Sequence, residues 1–257
     1  DEAVASYDKA LATRPSYAEA HNNLGNALQD LGQLDEAIAS YHKALAIKPD
    51  YAEAYSNLAN ALQGLRKLDE AIAYYHKALT INPDFSEAHS NLGVALQDLG
   101  QLDEAVASCQ RALAVKPDYV EGYSNLSVVL QELGKLEEAV ASCQKALAIK
   151  PDSAEVLINL GTTFQDLGML KEAIASYQKA LAIKPNDTEA GRNLLFVMLN
   201  VPGLSPGELF TEHLRFAEHH ARDISKPSEE LTNNPAPDRR LRVGSLSSDF
   251  WDHPVGR

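Results

Sequence analysis

Asn23, Asn57, Asn91, Asn125, Asn159 and Asn193 stand 34 residues apart along this chain. A primary amide carries both donors and an acceptor, so a row of amides can pair with the backbone of an extended peptide whatever its side chains. Glutamate keeps the same interval at Glu19, Glu53, Glu87, Glu121, Glu155 and Glu189, and acids recur at Asp30, Asp98, Glu132 and Asp166. At ~100° per residue of helix, these positions share one face with the variable series Asn26, Asn60, Val94, Val128 and Thr162. The face is a polar stripe with acidic edges, suited to holding a polypeptide. Asparagine is a mediocre helix former, so its persistence argues for a use of the amide. The other reading is that each amide bonds a neighbouring helix or was copied by duplication, although the variable series shows that copying did not freeze every site. At ~0.5–1.5 kcal/mol per amide, with peptide ordering as an opposing cost, binding is expected to be roughly micromolar.

The other reactive side chains offer less. Cys109 and Cys143 occupy the repeat position that holds Tyr7, Tyr41, Tyr75 and Tyr177 elsewhere, which makes them expected packing residues. Equivalent points on neighbouring helices lie roughly 8–10 Å apart, beyond the ~7 Å Cα limit for a disulfide. His213, His219 and His220 lack the i, i+4 pair of a helical zinc site, so solvated surface is expected there and no metal.

The elements that position the stripe are framed by Pro15, Pro49, Pro83, Pro117, Pro151 and Pro185, again 34 apart. A fixed period of this length signals stacked repeats. Full units span 18–51, 52–85, 86–119, 120–153 and 154–187, preceded by a half unit at 1–17 and followed by a capping half unit at 188–200. In the first, amphipathic stretches Ala18 to Leu31 and Leu34 to Ile47 flank Gly32 and end at Lys48-Pro49-Asp50, a helix, turn, helix, stop pattern. Gly25, Ala59, Gly93, Ser127 and Gly161, with Ala37, Ala71, Ala105, Ala139 and Ala173, mark close helix approaches, where larger side chains would cost roughly 1–3 kcal/mol each. Leu24, Leu28, Tyr41 and Ala44 with their counterparts supply apolar fill that a lone unit cannot bury.

Small residues at the eighth, twentieth and twenty-seventh unit positions, with proline at the thirty-second, resemble the tetratricopeptide (TPR) repeat over residues 1 to about 200. The resemblance implies an all-α fold, a right-handed superhelix or α-solenoid, with the first helix of each unit on the concave side. The tryptophan common at the fourth position is replaced by His21, Tyr55, His89, Tyr123 and Leu157. Chaperone adaptors of this family grip a C-terminal carboxylate with cations on the concave face; here Arg192 is the lone cation and no such clamp is expected.

Past Asn200 the period stops. Residues 201–240 read as a bridging helix and linker, with the helix over Glu208 to Asp223 burying Leu209, Phe210, Leu214, Phe216 and Ala217. The apolar run Leu241 to Leu246 reads as a short β-strand. The final stretch, RRLRVGSLSSDFWDHPVGR, resembles the opening of the catalytic region of O-GlcNAc transferases and Spindly-type relatives, and ELFTEHLRFAEHHAR resembles the connecting helix of bacterial members. Ser245 departs from the usual tyrosine. By that resemblance the parent enzyme transfers a sugar from a nucleotide-sugar donor of the UDP-GlcNAc type to Ser or Thr of a protein, the repeats deliver the acceptor, and His253 lies near the active site. Residues 241–257 are then a truncated catalytic start, and the chain alone is expected to be inert and to hold no cofactor.

A net charge of −13 with dispersed cations argues against nucleic acid as a partner. No apolar run is long enough for a bilayer and no leader precedes the repeats, so a cytoplasmic protein without membrane contact is expected. The partners expected are an acceptor protein or extended peptide and, through exposed apolar repeat surface, further copies of the chain. Two functions remain: the recognition arm of a protein glycosyltransferase, or a free-standing TPR adaptor without that activity.

Overall fold

The computed structural model describes residues 2–203 and 205–220, and every regular element among them is helical. The order is α1 (Glu2–Thr13), α2 (Ala18–Asp30), α3 (Leu34–Ile47), α4 (Ala52–Gly64), α5 (Leu68–Ile81), α6 (Ser86–Asp98) and α7 (Leu102–Val115). It continues through α8 (Val120–Glu132), α9 (Leu136–Ile149), α10 (Ala154–Asp166), α11 (Leu170–Ile183), α12 (Thr188–Leu199) and α13 (Pro206–His220). Each helix packs on its predecessor, and the first helices of successive units also touch, which is the α-solenoid expected from the period. The strand expected over Leu241 to Leu246 and the site residue His253 lie outside the described residues.

Local sequence accounts for both breaks in a unit. After α2 the chain closes a Schellman turn: Gln33 N–H bonds Leu28 O at 2.9 Å and Gly32 N–H bonds Gln29 O at 2.9 Å. That turn needs a left-handed residue, and Gly32 and Gly100 supply it at φ 75° and 80°. In the second full unit Arg66 takes the same conformation at φ 60°, against the preference of a side-chain-bearing residue. The second helices end where Pro49 and its equivalents withhold an N–H; Lys48 N–H makes the last bond, to Ala44 O at 2.9 Å.

The core follows the repeat. Tyr41, Tyr75 and Tyr177 are fully buried, and so are Cys109 and Cys143 at the same unit position. Gly25 and Gly161 lie under tyrosine rings, where a Cβ would come within 2.5 and 2.6 Å of a ring carbon. Ala59 occupies that place beneath Tyr75, so the ring can be accommodated above a methyl group. Both thiols are free. Burial pushes Cys109 up to about 12 and Cys143 up to about 11, which keeps them unreactive as nucleophiles at neutral pH.

Helix α13 packs against α12, but by a narrower part of the face than expected. Leu209 and Phe216 are half-buried, whereas Phe210, Leu214 and Ala217 are exposed. The reason is Gly191: with no side chain there, the Phe216 ring seats against its Cα, and this fixes which side of α13 turns inward. His213 is exposed, as expected. Among the described residues no helix is long and apolar enough to cross a membrane.

Candidate peptide-binding face

The asparagine row is placed by the first helices, and the structure gives most of its amides a neighbour in the preceding repeat. Asn57 Nδ2 donates to Asn22 Oδ1 at 3.0 Å, Asn125 Nδ2 to Ser90 Oγ at 2.9 Å and Asn159 Nδ2 to Ser124 Oγ at 3.1 Å. Asn91 Nδ2 donates to Asn60 Oδ1 at 3.0 Å. These four and Asn193 are half-buried, and the Asn193 amide stands close enough to the Tyr177 hydroxyl to oppose slightly the rise in its pKa caused by burial. Asn23 is exposed and accepts from Asn22 Nδ2 at 3.4 Å. Each bridging amide spends one N–H on the repeat before it. Its Oδ1 and second N–H take no further bond among the described residues.

The acidic edge is partly engaged as well. Asp98 accepts from Gln63 Nε2 at 3.0 Å and pairs with Arg66 at 3.2 Å. Glu132 accepts from Gln97 and Asp166 from Gln131, each at 2.6 Å, so a glutamine-to-acid bond crosses successive repeat boundaries. Asp30 is exposed and its charge adds to burial in raising the Tyr41 pKa. Glu19 and Glu87 lie 3.7 and 3.6 Å from Lys48 and Lys116, exposed pairs of small energetic worth. Asn159 and Asp166 line a recess of about 420 Å³ with Glu132 and Glu189.

Two sequence signals become intelligible only here, the first in the variable series. Tyr41 Oη reaches over Gly25 and lies 2.8 Å from Asn26 Oδ1 and 3.0 Å from Gln29 Oε1; Tyr75 bonds Asn60 and Gln63, and Tyr177 bonds Thr162 and Gln165. Where the buried residue is Cys109 or Cys143, the partner is Val94 or Val128. A phenol hydroxyl below the stripe demands a polar residue on it, and a thiol does not. The second signal is the fourth unit position: His21 Nε2 and His89 Nε2 each lie 2.9 Å from a carbonyl of the preceding unit, Pro15 O and Pro83 O, joining consecutive repeats.

The sequence pattern of the cilia and flagella-associated protein 70 C-terminal domain, a TPR family, matches residues 1–223. The chain belongs to this family. No curated protein matches the sequence. Among solved structures, this family member is similar to the thermophilic TPR protein TTC0263 of Thermus thermophilus, at 26% identity and TM-score 0.63, covering 71% of this chain and 100% of that one. It is similar at 26% identity and TM-score 0.54 to YrrB, described as a TPR protein with an unusual peptide-binding site, covering 72% of this chain and 95% of that one. The APC/C hetero-tetramer Cut9-Hcn1 shares the fold, with 20% identity and TM-score 0.71 over 85% of this chain and 43% of that one.

Proposed function

We propose that this TPR chain is a protein-interaction scaffold that holds an extended segment of a partner along its first-helix face. The observation that carries the reading is the half-satisfied amide row. One bond to the preceding repeat orients each of Asn57, Asn91, Asn125 and Asn159 and leaves a donor and an acceptor for a peptide backbone. Orientation before binding lowers the ordering cost that otherwise offsets the new bonds. The description of YrrB as peptide-binding supports the same use of the fold.

A panel of extended Ser/Thr-containing peptides tests this against Asn91→Ala, Asn125→Ala and Asn159→Ala combined. Sequence-tolerant binding that disappears with helicity unchanged supports the row, and retained binding removes it. Asn125→Asp is the control for stability. The Ser90 hydroxyl can donate to the new carboxylate, which preserves a bond across the boundary while deleting the amide donor.

The finer reading is that the scaffold serves as the acceptor arm of an O-GlcNAc transferase-like enzyme using a nucleotide-sugar donor, with His253 near its reacting centre. It rests on the resemblance of residues 239–257. It predicts that the natural coding sequence continues past Arg257 into a two-lobed nucleotide-sugar-binding region; an unrelated continuation leaves the adaptor reading in its place.

A further inference from the structure

A different face of the array carries a four-residue box that is complete in one repeat and lacks a single ring in the next. Between α3 and α5, over α4, the Tyr74 ring stacks on Tyr55 at 6.0 Å between centroids and meets the edge of His42 at 6.2 Å. Lys77 Nζ lies 4.7 Å from the centre of the Tyr74 ring. One repeat later, between α5 and α7, the corresponding residues are His89 for Tyr55, His76 for His42 and Arg111 for Lys77. The residue corresponding to Tyr74 is Ser108. The platform, the edge and the cation are kept, the filling ring is gone, and a groove of about 330 Å³ opens over Leu92.

We propose that this groove takes an aromatic side chain from a partner polypeptide, flanked in that partner by carboxylates. The same chain brings a ring to two related places, Tyr74 stacked on Tyr55 and Phe216 against Gly191, the latter at the edge of a recess of about 430 Å³, so the shape suits a ring. His89 is held by its bond to Pro83 O, and a ring stacked on it lies beneath the Arg111 guanidinium, a cation–π arrangement. The preference for acids follows from charge. No carboxylate lines the groove, and the Arg111 side chain has no ion pair or hydrogen bond among the described residues, so the preference rests on this local cation, against the acidic balance of the whole chain. The site is independent of the asparagine row, so either can fail alone.

The test is titration of the full chain with three capped tripeptides, Glu-Phe-Glu, Glu-Ala-Glu and Lys-Phe-Lys, following the Arg111 Nε–H and histidine ring signals by NMR. Glu-Phe-Glu is expected to saturate these signals at concentrations about tenfold below either control, a difference of about 1.4 kcal/mol. Ser108→Tyr rebuilds the neighbouring box and should abolish the response, and Arg111→Glu, at an exposed position, should remove the preference over Lys-Phe-Lys. Asn91→Ala with Asn125→Ala should leave it unchanged. Equal response to Glu-Ala-Glu, no saturable response, or a response that survives Ser108→Tyr overturns the proposal.

Discussion

Asn91 donates across a repeat boundary to Asn60 Oδ1, 3.0 Å away, and the same oxygen accepts the hydroxyl of the buried Tyr75. One carbonyl thus ties the packing of one unit to the outer row of the next. Changing Asn60→Val strands the phenol hydroxyl on Gln63 alone and leaves Asn91 without its acceptor, at a cost of about 1–3 kcal/mol. Tyr75→Phe alone is expected to cost about 1 kcal/mol. Because the two share a bond, the double variant should lose about 1 kcal/mol less than the two single losses added, measured by urea unfolding. Strict additivity would show that the bond contributes nothing.

The converse applies one repeat on. Cys109→Tyr places a hydroxyl beside Val94, where only Gln97 can receive it, and the ring must also settle over Gly93. A loss of about 1–3 kcal/mol is expected, and adding Val94→Asn should recover about 1 kcal/mol of it. Val94→Asn in the cysteine background has no phenol to bond and should not stabilise. Thermal melts of the three variants decide the matter.

The left-handed turn position predicts unequal effects for two substitutions. Gly100→Ala forces a Cβ into a left-handed conformation and should cost about 1–2 kcal/mol. Arg66→Gly relieves that same strain, against the loss of an exposed pair with Asp98 worth at most about 1 kcal/mol and the extra freedom of glycine in the unfolded chain, about 0.5–1 kcal/mol. Its net effect should fall between about 1 kcal/mol of destabilisation and about 1.5 kcal/mol of stabilisation, a milder change than Gly100→Ala, read from the denaturation midpoint.

Alkaline stability should carry the signature of the buried thiols. Their folded pKa values are raised, to about 12 for Cys109 and about 11 for Cys143, from an ordinary 9.0. For a raised group the stability is whole below the unfolded value and is lost as pH rises through the folded one, because the unfolded chain releases its protons first. Stability should therefore fall between pH 9 and 11, by up to about 1.4 kcal/mol per pH unit per thiol. Cys109→Ala with Cys143→Ala should flatten that decline in Tm, leaving the part due to buried tyrosines such as Tyr75, also raised by burial.

The period, the helix pairs and their breaks were legible in sequence because they are set locally. Pro49 lacks an N–H, Gly32 tolerates a positive φ, and apolar spacing marks the buried side of each helix. The face bearing the asparagine row followed from helical geometry alone. What each amide touches did not, since Asn91 turns to Asn60 while Asn125 turns to Ser90, and such partners lie 31 and 35 residues away. The pairing of Tyr75 with Asn60 and of Cys109 with Val94 was written in the sequence, but it had no meaning until two helices were brought together. The exposure of Phe210 and Leu214 was also beyond a one-helix reading. The apolar stripe of α13 is wider than the contact available, and the bare Cα of Gly191 decides which side of it seats. Local sequence determines which segments are helices and which surfaces must be buried; the stacking of one repeat on another selects the partner of each polar group and the grooves left open.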